Sequence, residues 1–216
     1  MLTRPKAEAE VTTDRLEAFS DGVFAIAITL LVLEIKAPAR GHSGSPAPDL
    51  AAALLNLWPS YFGYVFSFVM IGIHWAHHHY IFRLYERSTH NFLLLNIFYL
   101  MCISFLPFPT AVLAQYITSH AHRQIAIILY CAGLFLPAFA SVWMWLYASR
   151  NHRLVNKYLD DGFIAHLTRR YLLTIALYII AILLSWWHGN FGLLLCIGLA
   201  LMYLLPSRAP VFNCPP

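Results

Sequence analysis

Six apolar stretches divide this chain, over residues 15–36, 57–83, 91–119, 122–149, 168–187 and 189–206. A helix needs about 20 residues to cross roughly 30 Å of hydrocarbon, and a backbone surrounded by lipid must bond its own N–H and C=O groups. Stretches of this length and continuity therefore predict transmembrane helices. Composition supports the same solvent: 60% of residues are hydrophobic and 11% charged, against about 25% charged in soluble domains. The expected fold class is all-α, a polytopic membrane protein of six helices, and 216 residues leave no length for a domain outside the bilayer. The expected division is a cytoplasmic segment 1–14, a transmembrane domain 15–206 and a cytoplasmic tail 207–216. The leader lacks the apolar core and small-residue cleavage site of a signal peptide.

Breakers set the connections. Pro38, Gly41, Gly44, Pro46 and Pro48 make residues 37–56 an exposed, flexible loop. Pro107 and Pro109 fall inside the third stretch, where each removes a backbone donor, so that span is expected to bend or end early. Only His188, Gly189 and Asn190 separate the last two stretches, which predicts a tight antiparallel hairpin. The proline-rich tail from Pro206 is expected to fray. Basic residues in short loops stay on the cytoplasmic side. With six spans, Arg4, Lys6, Arg15, Arg83, Arg87, Arg150, Arg153, Lys157, Arg169, Arg170 and Arg208 share one side, and only Lys36, Arg40 and Arg123 the other. Both termini are thus expected in the cytoplasm of a multi-pass cell-membrane protein. The net charge of +4 suits anionic lipid headgroups and calls for no nucleic-acid partner.

Cys102, Cys131 and Cys196 lie in expected spans and Cys214 in the tail, without a C-x-x-C pair, and read as small apolar fillers. The cysteine third from the end also misses a prenylation box. His74, His77, His78 and His79 spell H-x-x-H-H-H at the end of the second stretch. Imidazoles three and four residues apart share a helix face and could hold a metal, which resembles one histidine box of the membrane di-iron desaturases. Such a site needs further boxes from other segments, and His90, His120, His122, His152, His166 and His188 are scattered. A membrane metalloenzyme stays as an alternative; the expectation is no enzyme, no metal and no cofactor.

The segment Arg15 to Glu34 reads RLEAFSDGVFAIAITLLVLE, a charged cluster at the mouth of a helix that carries no further charge until Glu34. Leaving such a group unpaired beside hydrocarbon is costly, so the cluster marks a functional or packing site. Its R-x-x-x-F-S-D pattern resembles the first helix of the transmembrane protein 175 family of potassium-permeable channels. Trp75 to His78 is similar to that family's W-x-x-H, and Asn96 to Pro109 to its asparagine- and proline-containing third helix. The resemblance covers the first half of the chain in order and spacing. It implies a potassium-selective channel, with potassium ions as permeant species and the first helix of each subunit around a central pore. A single six-helix repeat implies a homotetramer in membrane lipid. It further implies that Arg15, Phe19, Ser20 and Asp21 dock against Trp75, His78 and Asn96 as an architectural network outside the ion path.

Helix geometry gives an independent view of the pore. At roughly 100° per residue, Ile26, Thr29, Leu30 and Leu33 fall on one stripe that Gly22 extends. Ala18, Gly22, Ala25 and Thr29 form a small-residue row along which helices can approach. A lipid-facing or core helix fits the same pattern. The chain has no T-V-G-Y-G segment, so selectivity cannot come from a carbonyl-lined filter of that kind. A ring of Ile26 side chains could make a dry constriction, Thr29 could offer oxygens to a partly dehydrated ion, and Glu34 could gather cations at the outer mouth. A proton-conducting channel is the other alternative, since a histidine such as His78 has its unperturbed range near neutrality.

Overall fold

In the computed structural model, residues 13–38, 49–204 and 209–213 are described. Among these residues eight α-helices follow one another. They are α1 (Thr13–Leu30), α2 (Leu50–Leu55), α3 (Trp58–Phe82), α4 (His90–Phe105), α5 (Pro107–Tyr116), α6 (Arg123–Ser149), α7 (Asp161–Trp187) and α8 (Gly189–Leu204). A 3₁₀ turn, Leu31–Glu34, prolongs α1. Taken with these continuations, five helical segments are long and apolar enough to cross a membrane. The sixth, α8, has 16 residues, roughly 24 Å of helix. The protein is a multi-pass, all-helical membrane protein.

The third span breaks where its prolines stand. Its first half, α4, ends at Phe105, Leu106 closes it with its N–H on the Ile103 carbonyl, and α5 restarts with Pro107 at its first position, where the missing N–H costs nothing. The second proline, Pro109, then packs against Gly133 of α6, so closely that a Cβ on Gly133 would stand 2.8 Å from the ring. Beside this break the Ser67 hydroxyl bonds the hydroxyls of Thr110 at 2.7 Å and Tyr130 at 2.9 Å, tying α3, α5 and α6 through fully paired polar groups. The helix α6 packs against α4, α5, α7 and α8 and is the mast of the bundle.

Three sequence expectations need correction. Residues 37–56 are not all loop: Asp49 accepts the Ala51 N–H and caps α2, which leads into α3 after Asn56 and Leu57. The glycines and the last two prolines of that stretch lie outside the described residues. The fifth span begins at Asp161 rather than residue 168, because Asp160 accepts the Phe163 N–H and starts the helix among polar residues that a hydropathy window excludes. The tail is not frayed over residues 209–213: the Asp160 N–H bonds the Val211 carbonyl at 3.0 Å, and the Asn213 N–H bonds Tyr158 at 2.8 Å. The same loop pairs on its other side with the α3–α4 connection, Glu86 N–H to the Leu154 carbonyl at 2.9 Å and Asn156 N–H to Leu84 at 3.1 Å. Two loops and the tail thus form a backbone-paired collar at one end of the bundle.

The last two helices meet through a turn confined to His188. Their closest approach is at Gly192, where a Cβ would collide with the Ser185 hydroxyl and the Ala181 carbonyl of α7. Gly198 faces open space. Gly192→Ala is expected to destabilise the protein by about 1–3 kcal/mol, the usual cost of overpacking, and Gly198→Ala to leave it unchanged. Thermal unfolding in mild detergent, followed by tryptophan fluorescence, compares the two.

Candidate functional site

The first helix has two opposed faces. Leu16, Ser20, Phe24 and Ala27, with Leu31 of the 3₁₀ turn, are buried at spacings of three and four and pack against α3 and α4. Ala18, Gly22, Ala25, Ile26, Thr29, Leu30 and Leu33 are exposed on the opposite side, Ile26 by 61% and Leu33 by 67%. An apolar face left open by its own chain meets either lipid or another subunit.

The buried face is held by a chain of polar side chains. Ser20 donates its hydroxyl hydrogen to the Leu16 carbonyl at 2.7 Å and so can only accept from Asn96, whose Nδ2 lies 3.0 Å away. That choice turns the Asn96 oxygen toward His78, 3.0 Å from its Nε2, which must then carry the proton. Asn96 is completely buried and joins α1 to α3 through α4. The His78 ring is packed between Phe82, 4.0 Å between centroids, and Tyr99, 5.6 Å, with the edge of Phe24 at 5.6 Å. A short polar relay is thus enclosed by aromatic rings, in surroundings where an unmade bond is costly.

A second seam runs along the flank of α1. Trp75 donates its indole N–H to Asp21 at 2.9 Å, and His79 meets Glu17 at 2.6 Å, with the Trp75 and His79 rings stacked at 6.2 Å. Glu17 and Asp21 stand four residues apart on α1, and Trp75 and His79 four apart on α3. Matching i, i+4 pairs on two helices zip together. The sequence pattern offered His79 only as part of a metal box and left Glu17 unmarked, although the doubled spacing of the two pairs is visible in it.

The expected network is therefore divided. The structure brings Ser20, Asn96 and His78 together, and Asp21 with Trp75. It places Arg15 and Phe19 elsewhere: both are exposed, Phe19 by 59%, and both project onto the side of Gly22 and Ile26. Among the described residues no carboxylate pairs with Arg15. Asp21 finds an indole rather than Arg15, His78 or Asn96, because it lies a further 100° or so around the helix from Ser20.

The histidine run does not make a ligand set. His74 contacts the hydroxyl of Tyr99, His77 that of Tyr171 on α7, His78 the Asn96 amide and His79 the Glu17 carboxylate. Successive helix positions point these four rings at different neighbours. Among the described residues no three His, Cys, Asp or Glu side chains converge as metal ligands. Cys102, Cys131 and Cys196 are free and buried in the apolar core, Cys131 of α6 and Cys196 of α8 with their sulfurs 3.6 Å apart beside the Ser185 hydroxyl.

Two substitutions separate the relay from the seam. Asn96→Ala strands buried groups on both neighbours and is expected to cost about 2–4 kcal/mol. Asp21→Ala removes one hydrogen bond at a partly exposed site and should cost about 1–2 kcal/mol, less than a buried ion pair would. Thermal stability of the purified variants gives the order.

The family described as endosomal/lysosomal potassium channel TMEM175 matches residues 15–107, which hold the whole relay, the seam and the Pro107 break. Potassium channel Cha6605_3372 of Chamaesiphon minutus is 41% identical over 206 residues, 94% of this chain and 99% of that one. The crystal structure of a lysosomal potassium-selective channel TMEM175 homolog from Chamaesiphon minutus superposes with a TM-score of 0.76 at 37% identity, covering 89% of this chain and 96% of that one. The endosomal/lysosomal proton channel TMEM175 of Gallus gallus is 34% identical over 148 residues, 66% of this chain and 29% of that longer one. A match over nearly the full length of a relative, carried by the same helices that build the anchor of α1, places this chain in the TMEM175 family.

Proposed function

We propose that this protein is a potassium channel of the cell membrane, in which four copies set their α1 helices around a central pore. The observation that carries the reading is the open face of α1, apolar and rich in small residues, directly opposite a face fixed to α3 and α4. One helix cannot enclose a path for ions; several related by closed symmetry can. The Chamaesiphon relatives, potassium channels by name, support the permeant ion.

On this reading Ile26 forms the narrow point. A ring of its side chains on the symmetry axis expels water when tight and passes ions when it widens. Thr29 donates its hydroxyl hydrogen to the Ile26 carbonyl at 2.9 Å, which leaves its oxygen lone pairs for a cation one turn further along. Leu30 and Leu33 continue the wall. Potassium sheds water more readily than sodium, and a constriction that demands partial dehydration favours it. The collar of the α3–α4 loop, the α6–α7 loop and the tail gathers Arg83, Arg87, Arg150, Arg153 and Lys157 at one end, which supports a cytoplasmic position for that end and for both termini. The dispersal of the four histidines argues against the metalloenzyme reading.

Proton conduction is the second reading, favoured by the name of the Gallus gallus relative. His78 gives it little help, since that ring sits on the buried side of α1, away from Ile26 and Thr29.

Native mass spectrometry in mild detergent is expected to show a tetramer; only monomers or dimers would count against the assembly. Ile26→Asn should wet the constriction, raise conductance and weaken discrimination against sodium in planar bilayers, and Leu183→Asn, an equally exposed position on α7, should leave both as they were. A wild-type potassium preference in Ile26→Asn would move the pore to another face. Reversal potentials that follow a pH gradient instead of a potassium gradient would establish the proton reading.

A further inference from the structure

At the collar end, α6 closes with a sharp reversal: Asn151 and His152 both take positive φ, 56° and 48°, and the Arg153 N–H bonds the Arg150 carbonyl at 3.2 Å. This reversal sets Arg150 and Arg153 on the same groove, about 620 Å³ in volume, which Trp143, Leu146, Tyr147 and Ile164 also line. The Arg153 guanidinium lies 4.7 Å from the centre of the Tyr147 ring, and the Tyr147 hydroxyl is fixed by Thr89 at 3.1 Å, so one cation is held in place. The nearby acid Asp161 is taken by His152 at 2.9 Å, and among the described residues no carboxylate pairs with either arginine.

We propose that this groove is a binding site for an anionic phospholipid. Two guanidiniums match the oxygens of a phosphodiester, which they bond through planar, directed N–H groups. Free phosphate would satisfy that end alone. The groove, however, continues from Arg150 along α6 onto Leu146 and Trp143, which are 40% and 50% exposed on a helix long and apolar enough to cross a membrane. An amphiphile with an anionic head and an apolar tail covers both parts, and basic pockets between transmembrane helices at the membrane surface take such headgroups. Arg170, stacked on Tyr203 at 4.8 Å, lines no part of this groove.

The test uses the full chain, purified in mild detergent, stripped of lipid and titrated with phosphatidylglycerol or phosphatidylcholine, with bound lipid counted by native mass spectrometry. Phosphatidylglycerol should bind more tightly, and R150Q/R153Q should weaken it by roughly thirtyfold, the factor expected for two cations near a membrane surface. R83Q/R87Q removes the same charge from the neighbouring loop and should leave that affinity unchanged. If the double variant does not fold, Arg153→Gln alone should lose about fivefold. Equal binding of the two lipids, an equal loss in R83Q/R87Q, or displacement of phosphatidylglycerol by millimolar inorganic phosphate would each overturn the assignment.

Discussion

The bond between Asn96 and Ser20 decides where the first helix stands. Inside a membrane bundle little drives helices together by hydrophobic burial, since lipid is as apolar as the side chains, and the satisfied polar contact carries orientation. The direction of each donor here follows from the one before it: Ser20 is committed to the Leu16 carbonyl, Asn96 must therefore donate to Ser20, and His78 must donate to Asn96. Turning α1 by one residue would remove Ser20 from reach and leave two buried groups on α3 and α4 without partners. Rotation about the helix axis is thereby fixed more sharply than apolar packing could fix it.

Fixing one face defines the other. With Leu16, Ser20, Phe24, Ala27 and Leu31 turned inward, the helical period leaves Gly22, Ile26, Thr29, Leu30 and Leu33 outward. The seam of Glu17 with His79 and Asp21 with Trp75 guards the boundary between the two faces and resists tilting of α1 away from α3. An architectural cluster and the proposed conducting surface can thus share about 20 residues, because a helix separates them by half a turn.

The remaining helices serve as backing. The break at Pro107 lets α5 lean on α6 at Gly133, and α6 passes the load to α7 and α8. At the other end the paired loops and tail close the bundle with backbone hydrogen bonds, a form of contact no hydropathy profile reports.

The membrane class, the number of apolar stretches, the kink at the prolines and the grouping of Ile26, Thr29, Leu30 and Leu33 on one stripe of α1 follow from sequence alone, whereas the outward turn of that stripe does not. Each rests on local periodicity or on the covalent nature of proline, which hold whatever the neighbours do. The family resemblance likewise lay in contiguous motifs around Ser20, Asp21, Trp75, His78 and Asn96. Partner choice was decided only by tertiary structure. Asp21 pairs with Trp75 rather than Arg15, Arg15 and Phe19 face outward, four adjacent histidines serve four neighbours, and Cys131 meets Cys196 across 65 positions. Such pairings depend on the rotation of one helix relative to another, and rotation is settled by contacts between distant segments that no single stretch of sequence contains.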